Sequence, residues 1–399
     1  MHDSQTQTSV LNDEQQGRSI SAAAPRSILF VTKAYEYGGA EKHLLTLLNR
    51  LKGTGLRISI LCLAQDLYTE RLDSGSTIQV ITADCEPSSL LDWVRLFRRA
   101  QPDVVVFVYG WSWAFPWIAP IGARLAGIPR RFSIQQLITP LGTNRGWAHT
   151  MLRRLFGTLN LKVSASCFHN SIAVSDEMRN SLIRDFGFPA GRVKTIHNGA
   201  SVSEYSPSER NGAEFRKKRG LQSDEFVLVC VARLAEQKGI EILLQGIAQA
   251  SSKGVRCKCF IVGDGPLKKQ LVTQSQELGL SGQVFFEGFR DDIRPYLQAG
   301  SAFILTSYRE GLPLSIAEAM ACGLPCVVTD VGGNAEAVTD NVNGLVIPAG
   351  SINAVENAIS FLATHPVERA QMSQMARTVA CEKFNIENCM TGIARVILN

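Results

Sequence analysis

The sequence predicts an α/β protein made of two doubly wound, Rossmann-like domains, and three observations lead to this prediction. The chain has 399 residues, which is too long for one ordinary hydrophobic core. Short apolar, β-branched runs alternate with amphipathic stretches along nearly all of it, as in parallel sheets covered by helices. The alternation begins near residue 26, stops near 200 and then starts again. We therefore expect two domains that face each other across a central cleft, where ligands of such folds bind.

The first domain is predicted over residues 26–200. Its first strand, SILFVTK, precedes the helical stretch GGAEKHLLTLLNRL, and further strands follow in RISILCL, IQVIT, DVVVFV and SIAVS. Residues 1–25 are rich in Gln, Ser, Thr and Asp and contain no apolar run, so they are predicted as a disordered tail and not as a signal peptide.

The second domain is predicted over residues 201–383. Gly, Ser and Pro cluster from Asn198 to Arg210, which indicates the linker. Strands follow in EFVLVCVARL, KCFIVGDGP, QVFFEGF, SAFILTS, PCVVTD and GLVIPA. Residues 384–399 lie beyond this pattern and contain a helical stretch from Ile386 to Leu398. This helix could pack back onto the first domain, and the sequence alone does not decide whether it does.

Composition is that of a globular protein, with 45% apolar residues and a modest net charge of +5. We expect no nucleic acid partner. The ten cysteines include no C-x-x-C pair, and the closest spacings, Cys257 with Cys259 and Cys322 with Cys326, have no histidine nearby, so we expect reduced thiols in a cytoplasmic protein and no metal site.

The twenty uncharged residues from Val104 to Ala123 match the length of a membrane span. A β-branched run follows Pro102-Asp103, however, and glycines and prolines interrupt the rest. A buried strand leading into a helix is the favoured interpretation, and a membrane-embedded segment is the alternative.

Two glutamates flank a predicted helix start in SYREGLPLSIAEAMACGLPCVVTD. Glu310 follows a strand, which leaves it free to reach a polar ring, and Glu318 lies among apolar helix residues. A buried carboxylate needs hydrogen-bond donors, and a vicinal diol such as a ribose supplies a pair. Gly311 and Leu312 offer backbone N–H groups ahead of the helix, which suits a phosphate. In the alternative, Glu310 is a capping residue and Glu318 pairs with an internal base.

Two cations follow another strand of the second domain. Arg233 comes directly after it and Lys238 stands at the next helix start, which would suit a diphosphate; solvated surface charges are the alternative. Three glycine-containing turns complete the set of candidate site residues. They lie at Gly38 and Gly39, at Gly263 and Gly265, and at Phe289 and Arg290. Each turn is a weak signal alone.

Taken in order, these motifs closely resemble those of family 4 glycosyltransferases, retaining enzymes with the GT-B fold. The resemblance covers about residues 26–390, and the E-x7-E segment of Glu310 and Glu318 is its most specific part. It implies a nucleotide diphosphate sugar as donor substrate. The absence of a D-x-D pair fits the metal-independent chemistry of the family.

The resemblance also implies roles for the individual residues. Glu318 would hold the donor ribose and Glu310 the donor sugar, while Arg233 and Lys238 would stabilise the departing diphosphate. The remaining positions would line the donor site: Gly38, Gly39, Gly311 and Leu312 at the phosphates, and Gly263, Gly265, Phe289 and Arg290 near the nucleobase.

One departure affects the predicted mechanism. Many family members carry a histidine near RFSIQQL, where this chain has Gln135 and Gln136. Glutamine keeps a hydrogen bond but cannot exchange a proton at neutral pH. A catalytically inactive sugar-nucleotide-binding or scaffolding protein is therefore the main alternative, and a related epimerase or phosphorylase is a weaker one.

The stretch from Val104 to Ser175 contains no acidic residue but seven basic ones. Within it, RGWAHTMLRRLFGTL (Arg145 to Leu159) has the pattern of an interfacial helix, with Arg153 and Arg154 opposite Trp147. An ordinary solvated helix is the alternative. We expect a peripheral protein on the inner face of an anionic membrane, acting on a lipid-linked or glycan acceptor.

Overall fold

The structure is a computed structural model that describes residues 25–72, 76–82, 86–110, 118–137 and 162–399. Nearly all of the predicted tail, and the predicted helix from Arg145 to Leu159, lie outside the described residues.

The first domain contains a seven-stranded parallel sheet in the order β3-β2-β1-β4-β5-β6-β7. Its interior strands are apolar on both faces because helices cover both sides. The strands are β1 (Ser27–Thr32), β2 (Arg57–Cys62), β3 (Gln79–Thr82), β4 (Val104–Tyr109), β5 (Arg130–Gln135), β6 (Asn170–Ala173) and β7 (Val193–Thr195). The helices are α1 (Gly39–Leu51), α2 (Leu90–Ala100), α3 (Ile118–Leu125) and α4 (Asp176–Arg184).

The second domain contains a six-stranded parallel sheet in the order β10-β9-β8-β11-β12-β13. Its strands are β8 (Phe226–Val231), β9 (Cys257–Val262), β10 (Val284–Gly288), β11 (Ala302–Leu305), β12 (Cys326–Thr329) and β13 (Gly344–Ile347). Its helices are α5 (Glu209–Lys218), α6 (Ile240–Ser252), α7 (Lys268–Glu277), α8 (Arg294–Ala299), α9 (Leu314–Ala321), α10 (Asn334–Ala337), α11 (Ile352–Thr364) and α12 (Pro366–Lys383). The predicted fold class is confirmed.

Strand order reverses between β1 and β4 in the first sheet and between β8 and β11 in the second. At such a reversal the loops leave on opposite faces and open a crevice at the carboxyl ends of the strands. The loops after β1, β8 and β11 carry most of the predicted site residues. The fold therefore brings sequence-distant loops to one cleft.

Strand β4 is fully buried at the centre of the first sheet, so the strand interpretation of Val104–Tyr109 is correct. Among the helices of the described residues, none is both long enough and apolar enough to cross a membrane.

The last helix, α13 (Ile386–Leu398), packs against α1 and β4 of the first domain. Its apolar face, which includes Met390, Ile393 and Ile397, is buried in the same core as Leu44 of α1. The chain crosses back from the second domain beside its first crossing, where the Ala200 N–H donates to the Phe384 carbonyl at 2.8 Å. The first domain is therefore built from both ends of the chain.

Candidate functional site

Glu310 and Lys238 meet at the carboxyl ends of β11 and β8. Lys238 Nζ lies 2.6 Å from Glu310 Oε1, and the Ser307 hydroxyl donates to the same oxygen at 2.6 Å. The Glu310 side chain is only 6% exposed, so its orientation is set by these partners. A carboxylate and an ammonium are thus held side by side, and such groups can accept hydrogen bonds from hydroxyls and pair with a phosphate, respectively.

Arg233 leaves the end of β8 and reaches the first domain. Its guanidinium lies 2.9 Å from a carboxylate oxygen of Glu36, in the loop after β1. Both side chains are partly exposed, at 39% and 61%. Arg233 is therefore placed where an anion entering between the domains would meet it.

Glu318 is buried in α9, and its partner comes from the first domain. Lys42 of α1 places Nζ 2.5 Å from Glu318 Oε1 and donates to the Tyr205 hydroxyl at 2.9 Å. Burial opposes the charged lysine, but Glu318 and Tyr205 outweigh it and raise the pKa of Lys42. Burial, reinforced by Glu318, raises the pKa of Tyr205 to about 12, so this hydroxyl stays protonated at neutral pH. The internal base foreseen in the alternative for Glu318 is Lys42.

Gly311 and Leu312 lie just ahead of α9, in contact with the first domain. A Cβ on Gly311 would stand 1.9 Å from the Gln136 carbonyl oxygen, so only glycine fits this approach. Asn198 Nδ2 donates to the Leu312 carbonyl at 2.8 Å. Pro313 is the N-cap of α9. Its fixed φ near −63° suits an extended cap as well as a helix.

The glycines after β9 support the segment that carries Arg233. A Cβ on Gly263 would lie 2.0 Å from the Ala232 carbonyl oxygen, and one on Gly265 would lie 2.4 Å from the Leu234 carbonyl oxygen. The Leu234 N–H also donates to the Asp264 carbonyl at 2.9 Å. These glycines allow two loops to lie directly on each other.

Phe289 and Arg290 follow β10 at the edge of the second sheet. Phe289 is 51% exposed, and the Arg290 guanidinium lies 3.7 Å from Glu287. Their turn adjoins Gly263, whose N–H donates to the Gly288 carbonyl at 2.9 Å. No described contact joins them to Glu310 or Glu318, so they form a separate group with the β9 loop.

Gly38 and Gly39 begin α1 and face the start of α9 across the cleft. The Gly38 N–H donates to Glu41 Oε2 at 3.0 Å, and burial raises the pKa of Glu41. A Cβ on Gly39 would come within 3.8 Å of Leu314 in the second domain. The structure thus brings these glycines to the same cleft as Gly311.

Gln135 and Gln136 are both buried and engaged within the protein. Gln135 Nε2 donates to the Ser133 hydroxyl at 3.3 Å. Gln136 Nε2 donates to His43 Nδ1 at 3.0 Å, and Gln136 Oε1 accepts from Asn198 at 3.0 Å. Burial lowers the pKa of His43 to about 4, so the ring is neutral and carries its proton on Nε2, beside Cys389. Gln136 therefore links the first domain to the Leu312 loop.

Sequence reasoning missed the residues that complete the cleft from the first domain and the linker. Glu36 and Lys42 flank the predicted Gly38-Gly39 loop after β1, so their position in the sequence could have identified them as site residues. Tyr205 and Asn198 lie in the linker, where the sequence offers no such signal.

Four of the seven basic residues in the acid-free stretch are described, and at least two have structural partners. Arg130 donates to the Leu398 carbonyl at 2.9 Å, and Arg131 donates to the Cys167 carbonyl at 2.7 Å. Arg153 and Arg154 lie outside the described residues, as do all four tryptophans of the stretch.

The fold matches that of solved GT-B glycosyltransferases. HepE of Anabaena, solved in complex with UDP and glucose, aligns with a TM-score of 0.76 at 24% identity, covering 93% of this chain and 98% of that one. WaaG, a glycosyltransferase involved in lipopolysaccharide biosynthesis, aligns with a TM-score of 0.72 at 17% identity, covering 93% and 99%. These likenesses establish the GT-B fold.

Sequence comparison gives the family. The profile described as "Glycosyltransferase Family 4" matches residues 37–204, and the one described as "Glycosyl transferases group 1" matches residues 211–379. The UDP-Gal:alpha-D-GlcNAc-diphosphoundecaprenol alpha-1,3-galactosyltransferase of Escherichia coli is 26% identical over 340 residues, covering 82% of this chain and 85% of its own. EpsF of Bacillus subtilis is also 26% identical, over 313 residues, covering 77% of this chain and 80% of its own. The chain belongs to the family 4 glycosyltransferases.

Proposed function

We propose that this glycosyltransferase moves a hexose-type sugar from a nucleotide diphosphate sugar to an acceptor hydroxyl, with retention of anomeric configuration. The observation that carries the proposal is the buried Lys238–Glu310 pair, with Arg233 at the end of the same strand. The Lys238 ammonium can stabilise the leaving group, and the adjacent Glu310 carboxylate can hold the sugar. Glycosyl transfer needs both from a protein.

Arg233 and Lys238 act on the leaving group. The bond between the anomeric carbon and the diphosphate breaks, and negative charge grows on the phosphate oxygens. Two fixed cations and the N-terminus of α9 stabilise that charge. They serve the purpose that a divalent ion serves in other transferases, so we expect no metal requirement.

Glu310 and Glu318 orient the donor. Glu310 accepts hydrogen bonds from hydroxyls of the sugar, and Glu318 accepts them from the ribose beside the Lys42 ammonium. Gly38, Gly39, Gly311 and Leu312 approach the phosphates closely, while Gly263, Gly265, Phe289 and Arg290 border the base. Fixing the donor in this way lowers the entropic cost of reaching the transition state.

Retention follows if the acceptor attacks from the side that the diphosphate leaves. The acceptor oxygen then forms the new bond to the anomeric carbon, and its proton passes to the departing phosphate oxygen. No protein base is needed, which agrees with the internal engagement of Gln135 and Gln136.

We propose that the acceptor is a lipid-linked or membrane-anchored glycan intermediate of cell-surface polysaccharide or glycolipid synthesis. The name of the Escherichia coli relative specifies a diphosphoundecaprenol acceptor, and another relative, from Mycolicibacterium smegmatis, is named as a phosphatidylinositol monomannoside mannosyltransferase. The acid-free stretch of the first domain is consistent with such an acceptor. The protein would then act in the cytoplasm, at the inner face of the membrane.

An acceptor-dependent transfer assay tests the proposal. UDP-, GDP- and ADP-sugars are first screened by thermal shift, because a ligand in large excess over its Kd stabilises by a few kcal/mol. Nucleoside diphosphate should then be released only when acceptor is present, with unchanged rate in EDTA and the same anomeric configuration by NMR. Lys238→Ala should lower kcat/KM by about 10²-fold.

Two results would count against the proposal. Nucleotide binding without transfer to any glycan or lipid-linked acceptor would favour the inactive binding or scaffolding protein. Inactivation by EDTA with rescue by Mg²⁺ would contradict the metal-free mechanism.

A further inference from the structure

Glu336, which the proposed mechanism does not use, joins the two domains. It lies on α10 of the second domain, and its two carboxylate oxygens accept the backbone N–H groups of Asp176 and Glu177 at 2.8 Å each. Both amides belong to the first turn of α4 in the first domain. His197, which follows β7, places Nε2 2.7 Å from the same carboxylate.

These contacts make a strong junction for physical reasons. The first N–H groups of a helix have no partner within the helix, and they attract negative charge. Ser175 caps α4 through the Met178 amide, which leaves the amides of Asp176 and Glu177 to an outside acceptor. Burial alone would raise the pKa of Glu336, but His197 and the two amides hold it below its ordinary range.

Glu336 is also coupled to the loop that carries Glu310. Gly332 has a φ of +53°, and a Cβ there would lie 2.0 Å from the Glu310 carbonyl oxygen. The Gly333 N–H donates to the Gly311 carbonyl at 2.6 Å. Gly333, which contacts the Glu310–Leu312 loop, therefore lies only three positions before Glu336, which contacts the first domain.

We propose that Glu336 is a positioning residue that locks the first domain against the donor loop in the closed arrangement needed for transfer. The inference rests on the proposed function for what the loop binds. The predicted nucleotide contacts come mainly from the second domain, so the Glu336 junction governs transfer and not nucleotide affinity. His197 has an auxiliary part, because it supplies one of the three hydrogen bonds.

A divalent cation is the competing interpretation of these side chains. Single ligand atoms of Asp176, His197 and Glu336 all lie within 4.8 Å of one another. Both Glu336 oxygens already accept amides, however, and Asp176 accepts the Thr195 hydroxyl at 2.5 Å. An ion would have to displace these bonds at the positive end of a helix, so the geometry favours the direct junction.

The test compares Glu336→Gln with Asp176→Asn in the full-length enzyme. The glutamine loses the charge and brings an amide against backbone donors, so we expect kcat to fall about tenfold or more. The Kd for the nucleoside diphosphate that the screen selects (UDP, GDP or ADP) should stay within twofold, and small-angle X-ray scattering should show a larger radius of gyration. Asp176→Asn changes the neighbouring charge without touching the two backbone amides, and should leave all three quantities unchanged.

His197→Gln provides a milder second variant if Glu336→Gln folds poorly. It should also lower kcat and raise the radius of gyration, but by less than Glu336→Gln. Unchanged kcat and radius of gyration in both variants would overturn the proposal, and so would a loss of affinity for the selected nucleoside diphosphate matching the loss of kcat. If EDTA treatment of the wild type reproduces the Glu336→Gln behaviour, the cluster is a metal site and the direct junction is wrong.

Failure of the wild type to bind any nucleotide would refute the proposed function, while the scattering comparison would still test the junction.

Discussion

At the scale of single residues, the two glutamates of the E-x7-E segment differ in their surroundings. Glu310 shares one oxygen between Lys238 and Ser307, all within the second domain. Glu318 receives its cation from Lys42 of the first domain, 276 positions away in the chain. A buried carboxylate is costly without such partners. The two glutamates therefore lie in different surroundings, as their different proposed roles require.

We predict that Glu318→Gln and Glu310→Gln separate binding from turnover. Both changes conserve shape and remove one negative charge. A hydrogen bond to a charged group contributes about 1.5–3 kcal/mol, so Glu318→Gln should weaken binding of the donor's nucleoside diphosphate about tenfold or more. Glu310→Gln should leave that affinity within twofold and lower kcat, because the nucleoside diphosphate lacks the sugar that Glu310 is proposed to contact. Calorimetry with whichever of UDP, GDP and ADP the screen selects, together with steady-state kinetics, measures the two effects, and equal losses of affinity would contradict the assignment.

At the scale of elements, α13 shows how a sequence-remote helix completes a domain. Ile393 is 1% exposed and belongs to the core formed by α1 and the first sheet. Removing its side chain down to Cβ leaves a cavity that neighbouring side chains fill only in part.

We predict that Ile393→Ala destabilises the first domain by about 2–5 kcal/mol. Val367→Ala on α12 is the matched control, because Val367 is 66% exposed and should tolerate the change within about 0.5 kcal/mol. Urea unfolding followed by circular dichroism measures both. An Ile393→Ala variant as stable as the wild type would show that α13 contributes little to the first domain.

At the scale of the whole molecule, the charge distribution bears on where the enzyme meets its acceptor. The described parts of the acid-free stretch, residues 104–110, 118–137 and 162–175, belong to the first domain and not to the predicted donor-binding domain. Arg130 and Arg131 are occupied by backbone carbonyls, so the membrane hypothesis depends on residues such as Arg153 and Arg154.

We predict that the protein sediments with anionic vesicles and not with zwitterionic ones. Each basic group near an anionic surface contributes about 1 kcal/mol, so replacing Arg153 and Arg154 with glutamate should release much of the bound protein, as should added salt. Arg210→Glu with Lys269→Glu on the second domain makes the same charge change at exposed positions and should have little effect. Wild-type protein that stays in the supernatant at low salt would indicate a soluble acceptor.

The sequence by itself determined the fold class and the loops that form the candidate site. Alternating strands and helices favour a parallel sheet covered by helices, and parallel strands present their carboxyl ends at one edge. Glu310, Lys238 and Arg233 could therefore be located from their positions after strands.

Their partners could not be located in this way, because ion pairs such as Glu36–Arg233 join residues 197 positions apart. The packing of α13, the Lys42–Glu318 pair and the capping of α4 by Glu336 likewise depend on how the two domains meet. Local sequence patterns carry no information on that contact, so only the tertiary structure decided it.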